Sequence, residues 1–159
     1  MRRQRLRAAP SLLLPSLLCI AGCGDPGDER LERLSAARTT WVSSAPVDYA
    51  FQYRRSCFCP FVERVRVTVS SGFVTEVIDL DAALPLPAER WPEFPTIDAL
   101  FAELDELIRE DPFRLEVEYD PMLGYPSFVD VDIEERVVDE EFSYTVTDLT
   151  AAVTGVEAR

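Results

Sequence analysis

Residues 64–79 read RVRVTVSSGFVTEVID, two alternating runs on either side of Ser70-Ser71-Gly72. Val65, Val67 and Val69 alternate with Arg64, Arg66 and Thr68. A period of two describes a strand with one buried face. Ser70-Ser71-Gly72 make a tight turn, and FVTEVIDL returns as the next strand. The hairpin therefore demands an antiparallel sheet. Working outward, Val47, Tyr49, Phe51 and Tyr53 alternate with Asp48, Ala50, Gln52 and Arg54, which predicts a strand before it. Downstream, Phe113, Leu115, Val117 and Tyr119 alternate with Arg114, Glu116, Glu118 and Asp120. Val129, Val131 and Ile133 repeat the pattern, and Phe142, Tyr144 and Val146 close the set.

Helical spacing precedes each group of strands. Leu31, Leu34, Arg38 and Trp41 share one face of a helix predicted from Glu29 to about Val42. Ile97, Leu100, Phe101, Leu104, Leu107 and Ile108 form a wide apolar stripe behind a Thr96 cap, and Asp111-Pro112 end it. Between them, residues 81–95 carry four prolines and read as a loop pinned by Trp91 and Phe94. The order is helix, three strands, helix, three strands. This predicts an α+β fold: an antiparallel sheet of about six strands with two helices packed on one face. The repeated order also suggests a weak internal duplication.

The N-terminus sets the expected location. Arg2, Arg3, Arg5 and Arg7 precede a short apolar run, Leu12–Ile20, too short to span a bilayer. Ile20-Ala21-Gly22-Cys23 follows and resembles the lipobox of bacterial lipoproteins, in which the cysteine is acylated and the peptide is cut before it. That resemblance implies residues 1–22 as signal peptide and Cys23 as the lipidation site. Residues 23–28 then read as a tether, 29–149 as one domain and 150–159 as a tail. Acyl chains at Cys23 imply firm anchoring in the cell envelope. Gly24 at the next position favours the outer membrane, facing the periplasm, in a cell with two membranes.

Composition narrows the chemistry. The 159-residue chain has 16 basic and 29 acidic residues, a charge of −13, and all basic residues are Arg. Without residues 1–22 the remaining 137 residues hold 12 basic and 29 acidic groups, a charge of −17. This acidity argues against nucleic acid as a partner. The chain has no His and no Lys, so histidine triads and the usual bases that activate a nucleophile are missing. No enzymatic role and no cofactor are expected. On the outer sheet face, Arg54, Arg64 and Arg66 lie on the first hairpin, and Glu116, Glu118, Asp130, Asp132 and Glu134 on the second. The acidic hairpin either stays hydrated, meets the arginines, or binds a cation or a basic partner. The D-x-D-x-D-G…E spacing of a calcium loop is absent.

Two local clusters stand out. Cys57-Phe58-Cys59-Pro60 is the first. In an oxidising compartment a local Cys57–Cys59 disulfide is the favoured state. Two half-buried thiols, or two soft ligands for a metal such as Cu(I), are the alternatives. The second is Tyr119-Asp120-Pro121-Met122-Leu123-Gly124-Tyr125-Pro126, where Asp-Pro opens a turn and Gly124 supplies a positive φ.

These clusters carry a wider resemblance. Tyr49–Tyr53 leads into Cys57/Cys59, with Gly72 at a hairpin turn. Thr96-Ile97 and Leu100-Phe101 follow on a helix, then Tyr119-Asp120, Gly124-Tyr125-Pro126 and Asp130/Asp132. Over about residues 40–149 this resembles a family of small bacterial exported proteins catalogued as domain of unknown function 6174. The resemblance implies a lipoprotein-like exported domain and no known activity.

The expected function is that of a membrane-anchored, non-catalytic lipoprotein that binds an envelope partner. Tyr119, Asp120, Gly124, Tyr125, Pro126, Asp130 and Asp132 are the candidate binding residues. An inhibitor-like secreted binding module, or an acidic cation-binding or hydrolytic protein, are the alternatives. Nothing in the sequence sets the oligomeric state.

Overall fold

A computed structural model describes residues 26–57, 64–137 and 139–152. Helix α1 spans Pro26–Ser44 and is followed by β1 (Tyr49–Cys57), β2 (Arg64–Ser70), β3 (Phe73–Asp79) and a two-residue β4 (Leu84–Pro85). A 3-10 turn (Ala88–Glu93) leads into α2 (Ile97–Glu110). Strands β5 (Arg114–Tyr119), β6 (Pro126–Asp132) and β7 (Phe142–Ala151) complete the described chain. All strands join one sheet of order β4-β3-β2-β1-β7-β6-β5. Every neighbouring pair is antiparallel.

Local chemistry sets the helix ends as expected for α2. The Thr96 side chain accepts a hydrogen bond from Ala99 N–H at 3.1 Å. Asp111 ends the helix in the left-handed region at φ 50°, and Pro112 follows. The α2 stripe buries all six apolar residues from Ile97 to Ile108. Full burial of such side chains contributes roughly 1.5–3 kcal/mol each. In α1 the buried residues are Leu34, Ala37 and Trp41. Ala37 takes the place expected for Arg38, which is exposed. Small size at that position lets another backbone approach, as described below.

Both helices cover the same sheet face. Trp41 of α1 stands edge-on to Tyr49 of β1, with ring centroids 5.2 Å apart. The Tyr49 hydroxyl accepts a hydrogen bond from Ile97 N–H at the start of α2. The core below the helices holds Phe51, Tyr53, Val65, Val67, Val69, Val129, Val131, Tyr144 and Val146. The other face carries the outward side chains of the strands, and Asp139 and Glu141 of the β6–β7 connection come beside Asp130 and Ser143 there.

The chain fills the sheet in two passes, both stepping toward the β4 edge. β1 enters at the centre, and β2, β3 and β4 follow outward. β5 enters at the far edge, and β6 and β7 work inward until β7 pairs with β1. A direct repeat of the first half would place β5 where β1 stands relative to β2 and β3. In an all-antiparallel sheet, that shift of three positions reverses strand direction, and restoring it turns the helix to the opposite face. Since both helices share one face, the halves repeat a pattern and are not superimposable copies.

Boundaries differ from the sequence reading at several places; Phe113 and Ile133, expected inward, lie just outside β5 and β6 and are 58% and 36% exposed. α1 starts at Pro26, inside the expected tether, and proline suits the first turn because its missing N–H has no partner to lose there. Val47 is 78% exposed and lies before β1, so the inward alternation begins at Tyr49. The proline-rich loop contains β4 and the 3-10 turn; β4 pairs with Ile78 and Asp79 at the sheet edge. β7 runs to Ala151, where its pairing with Tyr49 holds residues expected in the tail. Among the described residues, no helix is long and apolar enough to cross a membrane.

Candidate functional site

The inward alternation of β1 does not stop at Tyr53. Arg55 and Cys57 occupy the same face, so a guanidinium is carried under the edge of α2. Arg55 Cζ lies 4.3 Å from the centroid of the Phe142 ring, and its Nη1 is 3.4 Å from Glu103 Oε1 on α2. Stacking and ion pairing together hold the guanidinium in one place. Beside it the 3-10 turn presents Arg90, whose Nε and Nη2 reach Glu93 Oε2 at 3.1 and 2.9 Å. Trp91 pins this turn by donating its ring N–H to the Leu86 carbonyl at 3.1 Å.

These groups line a cavity of about 480 Å³ between β1, the 3-10 turn and the first turns of α2. Tyr53, Arg55, Arg90, Phe94, Thr96 and Glu103 form most of its wall. The volume suits a small ligand or a short peptide segment. Its chemistry is mixed: two guanidinium groups, each facing a carboxylate, over an aromatic and proline floor. The positive end of the α2 dipole lies at the same place. Burial pushes the Tyr53 phenol up to about 12, against the lowering pull of Arg55, so it is a neutral hydroxyl at physiological pH. Both guanidinium groups are already paired, so an anionic group would enter by competing with Glu93 and Glu103 for them. The sequence reading missed this cleft. Its signal was an arginine at an inward register position of β1.

The expected turn site has a different character. Asp120 Oδ1 accepts from Met122 and Leu123 N–H at 2.9 and 2.7 Å, and Asp120 N–H donates to the Tyr125 carbonyl at 2.8 Å. The turn is thus closed by its own aspartate. Gly124, at φ +79°, packs on the backbone of α1: a β-carbon there would meet the Ala37 carbonyl oxygen and lie 2.9 Å from Thr40 Cβ. This close approach draws Tyr125 into the core, edge-on to Trp41 at 6.3 Å. Tyr125 is 7% exposed, and Gly124 and Pro126 are buried. The outward parts of the turn are Pro121 and Met122. Gly124, Tyr125 and Pro126 therefore join the turn to α1 rather than presenting a tyrosine surface. Tyr119 is half-buried; its hydroxyl and that of Tyr144 have no hydrogen-bond partner among the described residues.

Asp130 and Asp132 lie on the face away from the helices. Asp130 Oδ2 is 3.1 Å from Arg114 Nη2. It also borders a cavity of about 270 Å³ with Cys57, Asp139 and Glu141. Among the described residues, no group of three or more His, Cys, Asp or Glu side chains is placed to hold a metal ion. Cys57 is disulfide-bonded. Cys59, its expected partner, and Cys23, the expected lipidation site, lie outside the described residues.

Residues 33–151 match the family described as Family of unknown function (DUF6174), and the chain belongs to that family. The match spans all seven strands and α2. Comparison with curated proteins and with solved structures finds no match.

Proposed function

We propose that this member of the family is a lipid-anchored, non-catalytic binding domain of the bacterial envelope. In this reading Cys23 carries the lipid, and the cleft between β1 and α2 captures an anionic group of an envelope partner. The carrying observation is the convergence of Arg55 and Arg90 on one cavity at the α2 N-terminus. Arg55 is pre-positioned by Phe142 and Glu103, so little side-chain entropy is lost when a carboxylate enters. The lipobox-like Ile20-Ala21-Gly22-Cys23 supports the anchor.

Two measurements test the two parts. Cys23→Ala is expected to release the protein from membranes; unchanged retention removes the anchor. The full protein is expected to retain a short acidic peptide or an envelope partner that the Arg55→Ala/Arg90→Ala double variant loses. Equal retention by both rejects the cleft.

A further inference from the structure

The face of the sheet away from the helices is divided by charge, and the division follows strand order. One register row crosses five strands. It runs Arg64, Arg54, Thr145, Phe128, Glu118 from β2 to β5. Arg66 adds to the basic side, with Glu76 at its outer margin on β3. Glu116, Asp130 and Asp132 add to the acidic side, where Arg114 is held by Asp130; they lie toward the end of β1 from the row and Arg66 toward its start, so the row pair Arg64 and Glu118 is the one matched by charge. Between them lie the small polar residues Ser143, Thr145 and Thr147 of β7. Arg64 also reaches Asp81 at 3.0 Å, yet its side chain stays 52% exposed. Arg54 and Glu118 are exposed as well.

We propose that this face docks against the same face of a second copy, around a two-fold axis parallel to the strands and over Thr145. Rotation about that axis exchanges left and right. Arg64 of each copy then faces Glu118 of the other, and Arg54 faces the Phe128 ring. Each contact occurs twice, as an isologous interface requires. An axis across the strands would instead set basic on basic and acidic on acidic. Charge therefore selects one axis.

The position of Cys23 selects the same axis independently, on the proposed lipid anchor. Only Gly24 and Asp25 separate Cys23 from Pro26, a reach of roughly 10 Å at about 3.5 Å per residue. The start of α1 is therefore held near the bilayer. Rotation about an axis parallel to the strands keeps both α1 starts at the same end, so two anchors enter one membrane. The crosswise axis would point them apart.

Size permits the contact. Leaving out the two-residue β4, six strands spaced about 4.8 Å apart and about 20 Å long present on the order of 600 Å² per copy, near the lower bound for specific interfaces. Few apolar groups lie on the face, so the association is weak in free solution and gains from confinement on a membrane. A charge of −17 on each copy also opposes approach until salt screens it beyond about 8 Å.

The test uses the full chain in its own membrane at about 0.15 M salt. Thr145→Cys is treated with a short bis-maleimide, which should yield a covalent dimer. Ser35→Cys, on the exposed side of α1, should not. Adding Arg64→Glu or Glu118→Arg to Thr145→Cys should cut the dimer at least roughly tenfold. Combining both exchanges should restore it, which a folding defect cannot do. Monomer alone at Thr145→Cys, equal dimer at Ser35→Cys, or no restoration by the double exchange overturns the proposal. Fractionation of the wild type reports the anchor separately: a soluble protein that still cross-links removes the anchor and leaves the docking face.

Discussion

The phenol oxygen of Tyr49 accepts a hydrogen bond from the backbone N–H of Ile97 at 3.2 Å, joining the first strand to the start of the second helix. The N–H groups of a first helical turn lack partners within the helix. Here a buried side chain from another element supplies one. Tyr49→Phe keeps the ring against Trp41 and leaves that buried N–H unpaired. The expected loss is about 1–3 kcal/mol. In urea unfolding the midpoint should fall while the slope is unchanged. A midpoint equal to wild type would show that water replaces the phenol.

Gly124 and Gly72 both have positive φ, at +79° and +82°, but differ in surroundings. A β-carbon at Gly72 meets open space; at Gly124 it meets the backbone of α1. Gly72→Ala is expected to cost about 1–2 kcal/mol, for the left-handed conformation alone. Gly124→Ala adds the displacement of α1 and is expected to cost about 3 kcal/mol or more. Chemical denaturation of the two variants side by side checks the order. Equal costs would mean that α1 yields freely.

All five tyrosines resist ionisation. Burial pushes the phenols of Tyr49, Tyr53, Tyr119 and Tyr125 up to about 12, and that of Tyr144 higher still. A raised folded value means that the fold prefers the neutral phenol. This preference acts fully below the unfolded value near 10 and is lost as pH rises through the folded values. Absorbance at the phenolate band should therefore stay low at pH about 10.5 in the native protein. It should rise in one cooperative step with alkaline unfolding. Independent titration of several phenols near pH 10 would contradict their burial.

Cys57 is disulfide-bonded, and Cys59 is the proposed partner. Alkylation without reductant should label neither thiol, and a peptide map should recover them linked. A bridge from Cys57 to any other cysteine, or two labelled thiols, rejects the pairing. A ring of so few residues hardly restricts the unfolded chain. Reduction should therefore lower stability by no more than about 2 kcal/mol.

Much of the fold was legible because single residues act locally. Thr96 caps, Asp111-Pro112 stops, and the valines of β2 alternate whatever lies beside them. The strand order was not legible, because it depends on β7 pairing with a strand almost a hundred residues away. β4 was hidden because Leu84 and Pro85 form a strand only by resting on Ile78 and Asp79. At the turn, Tyr125 follows Asp-Pro and Gly signals that usually mark exposed chain. Its burial follows from the space that Gly124 leaves under α1. Arg55 was the reverse case. Its inward register was visible in the alternation, but the Glu103 and Phe142 that accommodate it come from distant elements.

The place of β7 has a consequence for how the chain acquires its shape. Before β7 arrives, the sheet exists only as β4-β3-β2-β1 and β6-β5, and the inner edges of β1 and β6 carry unpaired backbone groups. Such edges recruit other strands and favour aggregation. The last described strand closes both at once, and Ala152 N–H then bonds the Asp48 carbonyl just before β1. A chain made or delivered from its N-terminus cannot bank a finished first half. The pairing that completes the sheet is the most distant in sequence, which makes slow folding the expected outcome. Losing the final dozen described residues would leave two open fragments rather than a shortened domain.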